Sequence, residues 1–294
     1  MEKQKFKTTI ISKHRLFELH LKETFKYRDL IWLFVKRDFT ALYKQTILGP
    51  LWALIQPVLT TFVFSFIFGS LAGLVTADIP GKFSVPSFLF YMTGTMLFAY
   101  FSSNVNKVSK TFLENKATMG KVYYPRFVQP IATSLSNLIP FLINFALFIV
   151  VWIIFLCTGT TSMHLTWWIL FVPLIILEVM ILSMGLGMVI SAVTTKYRDL
   201  QMLVGFGLQL WQYGSPVAYG LTLISLSDKW AWLFNAYVYA NPLTSVITTF
   251  RCAMFGFGYF DIFVYLAGWG ISLVMFFIGL MLFSKTEKNF MDTI

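Results

Sequence analysis

The stretch QTILGPLWALIQPVLTTFVFSFIFGSLAGLVTA, Gln45 to Ala77, contains no charged side chain. About 20 apolar residues suffice for a helix to cross the hydrocarbon core of a bilayer. This run therefore predicts a first membrane span near 48–73, with Pro50 and Pro57 early enough to start or kink it. The whole chain carries the same message: of 294 residues, 57% are hydrophobic and 12% charged, with mean hydropathy +0.71. That is far more apolar surface than one soluble core hides, so lipid must supply the remaining solvent.

Upstream, residues 1–46 form a charged, non-spanning region with eleven Lys/Arg against five acids. Within it Leu30, Ile31, Leu33, Phe34, Phe39 and Leu42 recur near helical spacing, while Arg28, Asp29, Lys36, Arg37 and Lys44 fall mostly elsewhere. An amphipathic helix lying on the cytoplasmic leaflet is expected. No cleavable signal peptide is visible, and the first span is expected to serve as the insertion signal.

Downstream, charge-free runs alternate with basic ones. Spans are expected near 86–106, within Phe127 to Met163, at 166–193, at 200–219 and at 260–284, giving six in the membrane domain 47–284, ahead of a cytoplasmic tail, 285–294. Residues 220–250 are read differently. The stretch Trp230 to Phe250 is long enough to cross, but Asn235, Asn241, Thr244, Ser245, Thr248 and Thr249 lower its hydropathy, and Asn241-Pro242 favours a break. Two short external or re-entrant helices are expected, the competing reading being a seventh span. The basic residues test the arrangement: 20 fall on proposed inner segments and three, Lys82, Lys229 and Arg251, on outer ones. That bias supports six spans with both termini in the cytoplasm. The fold class is thus an all-α integral membrane protein.

The net charge of +10 sits at the edges of apolar runs and so points to membrane orientation, with no nucleic acid partner. Gly81-Lys82 and Gly120-Lys121 lack the rest of a P-loop, so ATP hydrolysis is not expected in this chain. His14, His20 and His164 have no arrangement suited to metal binding or acyl transfer, and Cys157 and Cys252 read as two buried thiols. Glu178 is the only acid inside a confident span, where a carboxylate costs on the order of 3 kcal/mol on insertion scales. A hydrogen bond to a neighbouring helix or partner subunit is its first reading and ion coupling its second.

Aromatic residues are the other signal. Trp211, Tyr213, Tyr219, Trp230, Trp232, Tyr237 and Tyr239 cluster in and after the fifth span, and Trp52, Tyr91 and Tyr100 lie near other helices. Sugar rings pack C–H faces on aromatic planes, so such a set could line a glycan path. Interfacial belts of Trp and Tyr are the competing explanation.

Several stretches in order narrow the choice: LFVKRDFTALYKQTILG (33–49) running into PLWALIQP (50–57), NKATMGKVYYPRFVQP (115–130), Lys196-Tyr197-Arg198-Asp199-Leu200, Ser215-Pro216-Val217, and Asn241-Pro242 ahead of Arg251. Together they resemble the permease subunits of bacterial ATP-binding-cassette exporters of the type-2 class, more narrowly the branch exporting O-antigen polysaccharide, capsule and teichoic acid. The resemblance covers nearly the whole chain. It implies a homodimer in the inner membrane, paired with two copies of a separate ATPase that binds ATP and Mg, and a lipid-diphosphate-linked glycan as substrate. Residues 18–44 would be the interface helix. Residues 107–126, with Glu114, Lys116, Lys121, Tyr123, Tyr124 and Arg126, would be the segment that docks on the ATPase. Trp52, Tyr91, Tyr100, Trp211, Tyr213 and Tyr219 would lie along the substrate path, and Trp230, Trp232, Tyr237, Tyr239 and Arg251 at the external gate about 220–250. Glu178 matches no motif of the family.

Three other functions compete with this reading. A drug, lipid or teichoic acid exporter of the same permease class would carry a different ligand. A membrane-embedded transferase would need an intramembrane catalytic constellation, and a secondary transporter would need internal repeats, neither of which is found.

Overall fold

The structure is a computed structural model, and it describes residue 24 and residues 26–44, 49–73, 85–115, 124–158, 166–197, 199–221, 231–256 and 258–290. Every regular element among these residues is helical. Helix α1 (Arg28–Tyr43) precedes a short turn at Gly49–Leu51 and α2 (Trp52–Phe64), which continues as a π-helix over Ser65–Leu71. Then come α3 (Ser87–Ser109), the single turn α4 (Thr111–Glu114), α5 (Val128–Cys157), and α6 (Val172–Thr194) entered through a tight turn at Trp167–Phe171. The chain closes with α7 (Leu200–Tyr213), α8 (Ala231–Ala240), α9 (Pro242–Phe255) and α10 (Ile262–Phe290).

Four of these helical stretches are long and apolar enough to cross a membrane: Trp52–Leu71, Val128–Cys157, Trp167–Thr194 and Ile262–Thr286. They coincide with the first, third, fourth and last runs expected. Two differences have local causes. The fifth helix ends at Tyr213, not near 219, because Gly214 and Pro216 interrupt it. Its 14 residues reach only about 21 Å at 1.5 Å each. Helix α3 is long enough at 23 residues, but Asn104, Asn106 and Lys107 near its end dilute its hydropathy.

Residues 231–255 are two helices and not one. Pro242 occupies the first turn of α9, where a missing N–H does no harm, and the Asn241 side chain accepts from the Leu243 amide at 3.2 Å. Gly256, at φ 80°, closes α9 in the left-handed conformation. The cysteines depart from the two buried thiols expected: Cys157 is exposed because it is the last residue of α5, and Cys252 on α9 is half-buried.

Helix α3 lies at the centre. Leu89, Phe101 and Val105 are fully buried with Ile175 and Val179 of α6 and Val246 and Phe250 of α9. Lipid offers no hydrophobic drive between helices, so close backbone approach must hold them. It does so between α6 and α10: a Cβ on Gly185 would lie 2.6 Å from the Phe276 Cα, and one on Gly279 would run into the Gly185 carbonyl oxygen. By contrast α2 and α7 show apolar faces that nothing among the described residues covers, with Leu59, Phe62 and Phe66 on one, and Met202, Leu203, Phe206 and Leu210 on the other.

Candidate functional site

A cleft of about 650 Å³ opens between α2, α3, α5 and α7, with Leu42 and Tyr43 of α1 at its rim. Amides and hydroxyls line it: Gln56 and Thr60 from α2, Ser103 and Asn106 from α3, Asn137 and Asn144 from α5, and Gln212 from α7. Trp52, Tyr100 and Phe141 add aromatic surface, and Lys107 is the one charged side chain among the described residues of the wall.

Helix-to-helix bonds fix the polar groups at both ends of the cleft. Pro57 has no N–H for the carbonyl four residues earlier, that of Ala53; Asn144 supplies the donor from α5 at 2.7 Å. One turn further, the Thr61 and Thr95 hydroxyls share a bond of 2.8 Å between α2 and α3. At the other end of the cleft Lys107 donates to the Asn137 Oδ1 at 2.6 Å, and Ser103 to the same oxygen at 3.4 Å. Asn137 in turn donates to Asn104, whose amide reaches Ser134 of α5 and Ser183 of α6. This network ties three helices together and satisfies polar groups that water does not reach.

The expected path residues separate. Trp52 is half exposed on the cleft wall, and Tyr100 also lines the cleft, its hydroxyl donating to the Ser134 carbonyl at 3.3 Å. Tyr91 is fully buried among Phe64, Phe68 and Phe90, away from the cleft. Trp211 packs edge-on against Phe101 and donates to the Asn241 Oδ1, and Tyr213 is exposed.

Of the expected gate residues, Trp230 lies outside the described residues. Trp232 and Tyr239 are exposed, and Tyr237 meets Tyr219 hydroxyl to hydroxyl at 2.9 Å, joining α8 to the segment after α7. Arg251 is buried on α9. It donates to the Thr93 hydroxyl and the carbonyls of Tyr219 and Val217, each at 3.2 Å, while its guanidinium lies 3.8 Å from the Phe90 ring centre. These contacts replace the water a buried cation would otherwise demand.

On the expected docking segment, Lys116, Lys121 and Tyr123 lie outside the described residues, and Glu114 is exposed. Tyr124 and Arg126 are buried. The Tyr124 ring meets Phe34 of α1 edge-on at 5.6 Å, and the Arg37 guanidinium lies 4.8 Å from the Phe34 ring centre. Burial pushes the Tyr124 phenol above its ordinary pKa, against a smaller pull from Arg37 and Arg126. Glu178 is fully buried and accepts from Ser245 of α9 at 3.3 Å; its other oxygen has no partner among the described residues. Sequence reasoning misses Lys107, Asn137 and Asn144 as cleft residues, although strongly polar groups inside or at the ends of apolar runs are the signal that finds such walls.

A helical bundle with a polar cleft cut into its apolar helices is the build of a membrane permease. The chain belongs to the ABC-2 type transporter family, which it matches over residues 29–255. It is 26% identical over 269 residues to an O-antigen export system permease protein, RfbA, of Klebsiella pneumoniae, covering 90% of this chain and 94% of that one. The RfbA of Myxococcus xanthus is 23% identical over 275 residues, covering 93% and 98%. The polysialic acid transport protein KpsM of Escherichia coli is 28% identical over 263 residues, covering 86% and 91%.

Proposed function

We propose that this chain is the channel-forming permease subunit of an ATP-driven exporter that moves a lipid-linked polysaccharide, O-antigen in the first instance, across the bacterial inner membrane. The observation that carries the reading is the cleft. Its wall combines aromatic surface with side-chain amides and hydroxyls, a lining that meets the C–H faces and the hydroxyl edges of a sugar ring without a deep binding pocket. The relatives, named for O-antigen and polysialic acid transport, support the same substrate class.

On this reading α3 and α7 complete six spans, both termini face the cytoplasm, and α8 with α9 forms the external gate. The uncovered faces of α2 and α7 are where a second copy packs, making a homodimer whose path runs between the two clefts. Two copies of a separate ATPase bind ATP and Mg and dock near residues 107–126. Tyr124 and Arg126 are buried, Tyr124 packs edge-on against Phe34 and so sets the position of α1, and Glu114 offers the exposed contact. Nucleotide-driven closure of the ATPase pair then moves the two permeases about their interface.

The test is co-expression with a polysaccharide-exporter ATPase in a strain that makes the glycan but lacks its permease. Glycan at the cell surface that needs both chains supports the reading. Surface glycan without the ATPase, or none with it while the complex expels a small apolar dye, overturns it in favour of a drug or lipid exporter.

A further inference from the structure

Lys107 stands apart from the rest of the cleft. Its wall otherwise offers neutral amides, hydroxyls and rings, and no carboxylate forms an ion pair with this ammonium among the described residues. The acids whose charges reach it are Asp38, already paired to Arg37 at 2.8 Å, and the exposed Glu114. Its position is also built. Asn137 accepts one of its three N–H groups at 2.6 Å, and the orientation of Asn137 is fixed by Asn104, itself held by Ser134 and Ser183. Two N–H directions remain for a ligand. Ser103, four residues back on the same face, and Asn106 beside it add neutral polar groups at the same mouth.

A single cation in a low-dielectric cleft focuses the field on whatever enters. We infer that Lys107, positioned by Asn137, is the anion-binding site at the mouth of the cleft, and that its ligand is the diphosphate group of the lipid-linked substrate. The inference rests on the polysaccharide-permease reading, which supplies a ligand whose glycan is joined to its lipid through one compact anionic link. The lysine would seat that link while the amides and hydroxyls of the wall meet the first sugars. A point charge with rotatable donors suits a group that must let go again, where a fork-shaped guanidinium would hold it in bidentate fashion.

The test uses the permease–ATPase complex in nanodiscs of phosphatidylcholine, with a labelled polyprenyl diphosphate as probe. The neutral polyprenol is the control, and inorganic pyrophosphate the competitor. Lys107→Gln keeps an N–H for Asn137 and is expected to weaken polyprenyl diphosphate binding about tenfold, the loss of a charge-assisted contact, while leaving polyprenol binding unchanged. Lys107→Arg should restore most of it. Ser103→Asp, which neutralises the lysine without removing it, should reproduce the loss and guards against a folding defect in the first variant. Competition by pyrophosphate shows that the free anion suffices; its absence shows that the lipid anchor is needed, and both keep the site. Unchanged diphosphate binding in Lys107→Gln and Ser103→Asp overturns it, as does an equal loss for polyprenol. Export by the wild-type complex in cells is scored separately, so a misplaced anion site is distinguishable from a wrong substrate class.

Discussion

The side-chain amide of Asn144 donates to the Ala53 carbonyl at 2.7 Å, and Ala53 is the residue whose carbonyl Pro57 leaves without its helical partner. The gap that a proline leaves in the hydrogen bonding of a membrane helix is thus filled by a side chain 91 residues away in sequence. Asn144→Leu should destabilise the protein by about 1–2 kcal/mol, the upper range for interhelical bonds in membranes. The same loss should shrink in a Pro57→Ala background, because an alanine there would bring its own N–H to the Ala53 carbonyl. Thermal unfolding of the four proteins in one detergent measures the coupling, and additive losses would contradict the pairing.

The contact of α6 with α10 at Gly185 and Gly279 predicts a sharp size limit. A Cβ at position 279 would run into the Gly185 carbonyl oxygen, a backbone atom that cannot swing aside. Gly279→Val should therefore cost at least about 3 kcal/mol, with most of the protein lost from the monodisperse fraction on size-exclusion chromatography. Gly270, where an added Cβ meets nothing, should accept Val without loss.

Arg251 holds the segment after α7 through the carbonyls of Val217 and Tyr219 and reaches α3 through Thr93. Lysine keeps the charge but cannot fork to three acceptors while lying flat on Phe90. In Arg251→Lys, amide hydrogen exchange over residues 214–221 should quicken about tenfold or more, with α5 unchanged. Equal protection in the variant would show that the segment is held by other contacts, such as the Tyr219–Tyr237 pair.

What the sequence discloses and what it hides divide along range. Charge-free runs and Asn241-Pro242 act within a few residues, so four spanning helices and the α8–α9 break are legible. The cleft wall joins groups about 30 to 90 positions apart, such as Lys107 with the Asn137 side chain and the Ala53 carbonyl with Asn144, and no local pattern announces those pairs. Lys107 in particular reads along the chain as the charge that ends a span and opens the docking segment. Tyr91 shows the opposite case: its amphipathic ring suits a path, but three phenylalanines claim it for the core.

Glu178 offers the last prediction. Its carboxylate lies fully buried where α6 meets α9, and a Cβ on Gly268 of α10 would stand 2.9 Å from its Oε1, so three helices close around it. Its one bond among the described residues is accepted from the Ser245 hydroxyl, and no Lys or Arg pairs with it there. Glutamine matches the shape, keeps an oxygen for Ser245 and removes the desolvation burden of a charge. Glu178→Gln should therefore unfold at the wild-type temperature or higher and export at least about half as fast. Glu178→Leu, which leaves the Ser245 hydroxyl only its local bond to the Pro242 carbonyl, should lose about 1 kcal/mol. Thermal unfolding and export measured on both variants separate two roles. If Glu178→Gln is as stable as wild type yet exports nothing, the carboxyl exchanges a proton during transport; if both variants export, it is a strut between α6, α9 and α10.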